Sequence, residues 1–98
     1  MPAININNFQ DKDFGAYVLL DVRSEQEYRE GHLPGSRNVP LQRIEEAEEI
    51  VEDRDMPILV YCHSGARSGQ AVAELLELGY TDVRNIGGIA AYSGKLER

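Results

Sequence analysis

The stretch Tyr61-Cys62-His63-Ser64-Gly65-Ala66-Arg67-Ser68 decides the fold of this chain, because of what stands on either side of it. An apolar run, Ile58-Leu59-Val60-Tyr61, comes before it, and an amphipathic segment over residues 70–78 comes after it. This order predicts a strand, then a tight loop that holds the one cysteine of the chain, then a helix. Backbone N–H groups at the start of a helix carry partial positive charge, so the thiol of Cys62 is expected at the base of an anion-binding loop.

Cys62 is a candidate nucleophile, because the same N–H groups would favour its thiolate, which is the reactive form. Arg67 adds a permanent cation, and Gly65 allows the backbone angles that a tight loop needs. Each residue also has a simpler interpretation. A single cysteine is more often a small buried apolar residue, while Ser64 or Ser68 can be a helix N-cap and Arg67 a solvated residue of the first helical turn. The whole cluster is harder to explain by packing than any one of its members.

Composition argues against several classes of partner. The 98 residues carry a net charge of −7, which disfavours nucleic acid and anionic membranes, since both attract basic proteins. A single cysteine leaves no internal disulfide and no second thiol that could attack a modified Cys62. The length predicts a single domain over residues 1–98. The chain has no signal-peptide pattern and no apolar run of ~20 residues, so a cytoplasmic protein is expected.

Strand and helix patterns alternate along the chain, which predicts a parallel sheet with helices on both faces. Residues 17–22 form an apolar run that places Asp21 near the end of a strand. Ser24 and Glu27 have the spacing of a capping box, so Glu27 is either this cap or a catalytic group. His32 follows in a turn and is interpreted as a structural histidine rather than a base or a ligand.

Three further elements are predicted elsewhere in the chain. Residues 3–6 are compatible with an edge strand, and a helical turn is expected over residues 9–14. A longer helix is expected over residues 41–53, with Glu side chains along its solvated face. The helix after the Cys62 loop is expected to bury Val72, Leu75 and Leu76, with Ala71 as a further candidate.

Three stretches resemble the motifs of the rhodanese (sulfurtransferase) family. The active-site loop of that family is similar to Cys62-His63-Ser64-Gly65-Ala66-Arg67-Ser68. A second motif resembles Asp21-Val22-Arg23, then Glu27-Tyr28, then Gly31-His32-Leu33-Pro34-Gly35-Ser36-Arg37-Asn38-Val39-Pro40. A third resembles Asn85-Ile86-Gly87-Gly88. The motifs come in the family's order and span nearly the whole chain. One departure is Ile89, which stands where the family often has an aromatic residue.

The resemblance implies a rhodanese-like α/β three-layer sandwich, with a mainly parallel sheet of four to five strands and helices on both faces. It implies a sulfurtransferase whose Cys62 takes a sulfane sulfur from thiosulfate or a related donor as a persulfide. The acceptor would be cyanide or a thiol, a protein thiol included. Substrate-binding roles are implied for the loop residues His63, Ser64, Gly65, Ala66, Arg67 and Ser68. The family needs no metal or organic cofactor, and a monomer is expected.

Some of these roles are more specific. Arg67 would either bind the oxyanion of the donor or brace the loop, and Asp21 and Arg23 would support the loop from the neighbouring strand.

Two other functions remain open. A Cys-based phosphatase would use a similar loop for phosphate, but such enzymes carry five residues between the cysteine and the arginine. Here four residues separate Cys62 from Arg67, which favours a sulfur atom over a tetrahedral phosphate. A non-catalytic binding module on the same fold usually lacks the cysteine, which is present in this chain.

Overall fold

A computed structural model of the chain describes residues 4–11 and 15–98. In this part of the chain four parallel strands form one sheet with the spatial order β2-β1-β3-β4. The strands are β1 (Val18–Asp21), β2 (Arg37–Asn38), β3 (Ile58–Cys62) and β4 (Val83–Gly88). The α-helices are α1 (Glu25–Glu30), α2 (Ala47–Ile50) and α3 (Ala66–Glu77). Shorter 3-10 helices span Phe9–Asp11, Leu41–Glu46 and Ile89–Ala91.

Strand β3 lies inside the sheet, and all five of its residues are buried. Successive side chains of a strand point to opposite faces, so Val60 and Cys62 belong to one apolar cluster and Leu59 and Tyr61 to the other. Burial on both faces explains why the sequence of this strand is a continuous apolar run.

The sheet lies between two layers of apolar side chains. On one face Ala71 and Leu75 of α3 pack together with Ile44 and Ala47. On the other face the cover comes from residues of the 3-10 helices and loops: Ile6, Phe9, Leu33 and the partly buried Ile89. The predicted α/β three-layer sandwich with a parallel sheet is therefore confirmed.

Three predicted elements, and the predicted burial of one side chain, differ from what is observed. The helix expected over residues 41–53 is instead a 3-10 helix followed by the short α2, because Arg43 has non-helical backbone angles (φ −127°, ψ 34°). Leu76 is 48% exposed rather than buried, since Ala71 and Leu75, four residues apart, face the sheet and Leu76 points away from it.

The edge strand expected over residues 3–6 does not form over residues 4–6, and Ala3 lies outside the described residues. The helical turn expected over residues 9–14 is the 3-10 helix Phe9–Asp11, and Phe14 is likewise outside the described part.

The end of β4 approaches the loop after β3 very closely. A Cβ atom placed on Gly88 would overlap the carbonyl of His63 and the Cα of Ser64. The backbone N–H of Ala90 donates to the same His63 carbonyl at 3.0 Å. Gly88 is therefore required by space rather than by backbone angles, since its φ of −128° suits any residue.

We predict that Gly88→Ala destabilises the fold by about 1–3 kcal/mol, because backbone atoms must move to admit the methyl group. Gly69→Ala is the matched control. Gly69 lies inside α3, where an added Cβ would make only an ordinary contact, 3.5 Å from Nδ2 of Asn85. The control should be neutral or more stable by up to about 1 kcal/mol, since alanine favours helices over glycine. Urea unfolding followed by circular dichroism measures both, and equal stabilities for the two variants would contradict the account.

Candidate active site

The carboxyl ends of the parallel strands bring the predicted site residues to one edge of the sheet. Asp21 at the end of β1 is in register with Tyr61 of β3, and Cys62 is in register with Gly88 at the end of β4. This is the edge at which ligands bind in open parallel sheets. All three motifs of the sequence meet here.

The sulfur of Cys62 is buried and receives hydrogen bonds from the loop that follows it. Cys62 is 1% exposed, the N–H of Gly65 lies 3.0 Å from Sγ, and the Ser68 hydroxyl oxygen lies 3.5 Å from Sγ. Burial by itself raises the pKa of the thiol, but the hydroxyl of Ser68 and the backbone N–H groups of Ser68, Gly65 and Ser64 lower it more. The net effect is a lowered pKa, which favours the thiolate.

The loop takes its shape from two backbone features. Gly65 has a φ of 103°, in the left-handed region that favours glycine, and it forms the N-cap of α3. The helix starts at Ala66, so its first N–H groups point back toward the cysteine. The predicted strand, loop and helix order is observed, and it places the sulfur at the N-terminus of a helix of 12 residues.

Asn85 is a positioning residue whose role sequence reasoning did not assign. Its Nδ2 donates to the carbonyl of Gly65 at 3.0 Å, and its Oδ1 accepts from the N–H of Gly87 at 2.9 Å. The hydroxyl of Ser68 also donates to that Oδ1 at 2.8 Å. The amide therefore ties the strand end to the loop and competes with Sγ for the one hydroxyl hydrogen of Ser68. Its place two residues before the Gly-Gly pair was the only signal for this role in the sequence.

Arg67 makes a two-pronged ion pair with Glu27, with Nη1–Oε1 2.8 Å and Nη2–Oε2 3.0 Å. Glu27 also closes the predicted capping box of α1, since its backbone N–H donates to Ser24 Oγ and its Oε1 accepts from the N–H of Ser24. Arg67 above all lowers the pKa of Glu27, and the bonds from Ser24 add to this effect against partial burial, giving a value of about 2. The pair is thus fully ionised near neutral pH and joins α1 to the start of α3.

Asp21 and Arg23 form a buried ion pair, with Asp21 fully buried and the Arg23 side chain 7% exposed. Nη2 of Arg23 lies 2.7 Å from Oδ2 of Asp21 and 2.7 Å from the carbonyl of Gly31. Burial lowers the pKa of Arg23, but the hydrogen bond with Asp21 and the charge of Asp21 raise the pKa by more, so the net shift is upward. These bonds fix the turn after α1, and Arg23 also lies 5.9 Å from the ring centre of Tyr61, the residue before Cys62.

The remaining site residues of the sequence analysis take two different places. The side chains of His63, Ser64 and Ala66 are exposed at the mouth of the loop, so these residues form its rim. His32 stacks on the ring of Tyr28 at 3.7 Å and its Nδ1 lies 2.8 Å from the Tyr28 carbonyl, as a structural histidine would.

Away from the Cys62 loop, the described part of the chain has a further cleft. A cleft of about 330 Å³, lined by Tyr17, Val18, Leu19, Pro34, Gly35 and Arg37, includes no residue of the loop. Over residues 4–11 and 15–98, no cluster of three or more His, Cys, Asp or Glu side chains is arranged to hold a metal ion. No helix in those ranges is long and apolar enough to cross a membrane.

Comparison with known proteins places the chain in one family. The model of the rhodanese-like domain matches residues 5–95. Thiosulfate sulfurtransferase PspE of Escherichia coli (strain K12) is 40% identical over 77 residues, which are 78% of this chain and 74% of that protein. A protein of Allochromatium vinosum named sulfurtransferase is 41% identical over 78 residues, 78% of this chain and 71% of that protein.

A solved structure, a rhodanese with anions from E. coli, superposes with a TM-score of 0.74 at 38% identity and covers 80% of this chain and 95% of that one. The fold and the family inferred from the three sequence motifs are confirmed, and the predicted class of enzyme, a rhodanese-type sulfurtransferase, agrees with the names of these relatives. The chain belongs to the rhodanese-like family.

Proposed function

We propose that the chain is a sulfurtransferase that carries a sulfane sulfur on Cys62 as a persulfide. The observation that supports this most strongly is the buried Sγ of Cys62, which accepts a hydrogen bond from the N–H of Gly65 and lies 3.5 Å from the hydroxyl oxygen of Ser68. A lowered thiol pKa and a ring of fixed donors suit both the thiolate nucleophile and the anionic persulfide that it forms.

The first half of the reaction loads the sulfur. The Cys62 thiolate attacks the outer sulfur of a donor such as thiosulfate, a bond forms between the two sulfurs, and the sulfur–sulfur bond of the donor breaks. Sulfite leaves with the electron pair. The terminal sulfur of the persulfide is then anionic, and the N–H groups of the loop stabilise its charge without reorganising.

The second half passes the sulfur on. The acceptor attacks the terminal sulfur of the persulfide, and Cys62 leaves as a thiolate ready for another cycle. With cyanide the product is thiocyanate, and with a thiolate it is a new persulfide. A protein thiol that accepts the sulfur must belong to another molecule, because Cys62 is the only cysteine of this chain.

The other site residues act by position and charge in this proposal. Gly65 and Ser68 hold the sulfur, and His63, Ser64 and Ala66 form the rim that meets the substrates. Arg67 is engaged by Glu27, which supports the bracing role over direct binding of the donor oxyanion. Asp21 and Arg23 support the loop indirectly, through Gly31 and Tyr61.

The partners follow from the chemistry. We expect a small sulfur donor such as thiosulfate, and as acceptor cyanide in the assay and a thiol or protein thiol in the cell. The chain would act as a single-domain, cytoplasmic monomer, without nucleic acid, membrane, metal or organic cofactor.

Cys62→Ser should abolish thiosulfate:cyanide sulfurtransferase activity, because a hydroxyl at this position cannot form a persulfide. The measurement is thiocyanate production from thiosulfate and cyanide. The control is Ser93→Ala, whose lost hydroxyl bonds to Asn7 at the surface, and it should retain the rate. Equal rates for wild type and Cys62→Ser would remove Cys62 from the mechanism.

Ser68→Ala should raise the pKa of the Cys62 thiol, since it removes the hydroxyl donor at 3.5 Å that lowers this pKa. The rate of alkylation of the single thiol by iodoacetamide, followed by intact mass across pH, gives the pKa directly. The Cys62 thiol of wild type should titrate below the ~8.5 of a free cysteine. The same thiol in Ser68→Ala should titrate at a higher pH than in wild type. Ser93→Ala again is the control, and an unchanged midpoint in Ser68→Ala would show that the hydroxyl does not act on the sulfur.

A further inference from the structure

The charge of Arg67, the nearest cation in sequence to the loop, is already compensated. Both of its terminal nitrogens face the two oxygens of Glu27, and the two side chains are 38% and 33% exposed. The hydrogen bond with Glu27 is the main cause of the raised pKa of Arg67, with burial opposing it and the charge of the Cys62 thiolate adding to it. Glu27, Arg67 and the thiolate therefore act on one another, and together they carry a single net negative charge.

Arg23 of the second motif does not change this balance. It is buried against Asp21, at 2.7 Å, so its charge is also compensated at the same edge of the sheet. A dianion that approaches the thiolate consequently meets two neutralised cations rather than a positive site. Thiosulfate is such a dianion, and its sulfonate oxygens would bind more tightly to a charged donor that is not already paired.

We infer that Glu27 is a specificity-determining residue, which by engaging Arg67 disfavours dianionic sulfur donors relative to donors of lower charge. The inference rests on the proposed function, since it concerns the donor that loads Cys62. The donors favoured by this arrangement are monoanionic or neutral sulfane-sulfur compounds, such as thiosulfonates with an organic substituent or the persulfide of a small thiol.

The test compares two donors in the same assay with cyanide as acceptor. Thiosulfate is the dianion, and benzenethiosulfonate is a monoanion with the same transferable outer sulfur. Glu27→Gln removes the negative charge, while glutamine keeps the capping box of α1, since Gln serves at this position as well as Glu. Because an electrostatic energy scales with the charge of the ligand, the KM for thiosulfate should fall about three- to tenfold and that for benzenethiosulfonate about two- to threefold.

The ratio of kcat/KM between the two donors is the decisive readout, because a change in the pKa of the thiol would affect both donors alike. The fall in the KM for thiosulfate that Glu27→Gln produces should be smaller at high ionic strength, where exposed charges are screened. Thermal unfolding of each variant checks that it is folded.

Two controls separate charge at this position from other causes. Glu25→Gln removes the same charge from the same first turn of α1, where Glu25 is exposed and pairs with Arg43 at 3.5 Å. It should leave the donor ratio unchanged. Glu27→Asp keeps the carboxylate charge close to Arg67 on a side chain one methylene shorter, so the donor ratio should change less than in Glu27→Gln.

An unchanged donor ratio in Glu27→Gln, or an equal change in Glu25→Gln, would overturn this inference. A donor ratio that changes as much in Glu27→Asp as in Glu27→Gln would do the same, because the negative charge at this position would then not be the cause. If these results came from a protein that still loads sulfur on Cys62, the proposed function would stand. If wild type takes sulfur from neither donor, both the proposed function and the inference fail.

Discussion

Hydrogen-bond donors must converge on one buried sulfur atom, and much of this structure serves that requirement. A buried cysteine titrates with a raised pKa unless donors compensate for the lost water. Here the donors are the N–H groups of the loop and the hydroxyl of Ser68, and they outweigh the effect of burial. Such a loop needs a strand that ends at the cysteine, a helix that begins four residues later, and a left-handed glycine between them.

The support of the loop comes from elements that are distant in sequence. The end of β4 contacts the backbone of the loop, and the contact is so close that position 88 has no room for a side chain. Asn85 of the same strand bonds to Gly65, and Glu27 of α1 holds Arg67 at the start of α3. The loop is thus fixed on two sides before any substrate arrives, which is the preorganisation that stabilises developing charge without a cost in reorganisation. The same contact with Glu27 removes the free positive charge that a dianionic donor would use.

The sequence predicted the architecture well where one local pattern determined it. The continuous apolar run of β3, the capping box at Ser24 and the loop at Cys62 each report on a few adjacent residues, and the structure confirms these elements. The prediction of one helix over residues 41–53 was wrong, because the apolar periodicity of the sequence is the same whether the helix is continuous or broken. Ile44, Ala47 and Val51 remain buried although the backbone departs from helical angles at Arg43. Leu76 was misplaced by the same reliance on apolar character, one residue beyond the buried face of α3.

The site was less predictable than the fold, because its partners are long-range. The sequence indicates that Glu27 is a cap or a catalytic group. Its ion-pair partner, Arg67, lies 40 residues away along the chain. The amide of Asn85 reaches across 20 residues to Gly65. No spacing rule connects such residues before the sheet brings the strand ends together. Polar side chains beside the motif glycines were the nearest signal.

The most direct test of the central claim is the intact mass of the protein after treatment with thiosulfate or benzenethiosulfonate and removal of excess reagent. The account predicts a gain of one sulfur atom, confined to Cys62, that persists without reductant and disappears on addition of cyanide or a small thiol. Cys62→Ser should gain nothing under the same conditions. A wild-type protein that takes up no sulfur from either donor, or one whose added sulfur remains in Cys62→Ser, would contradict the account.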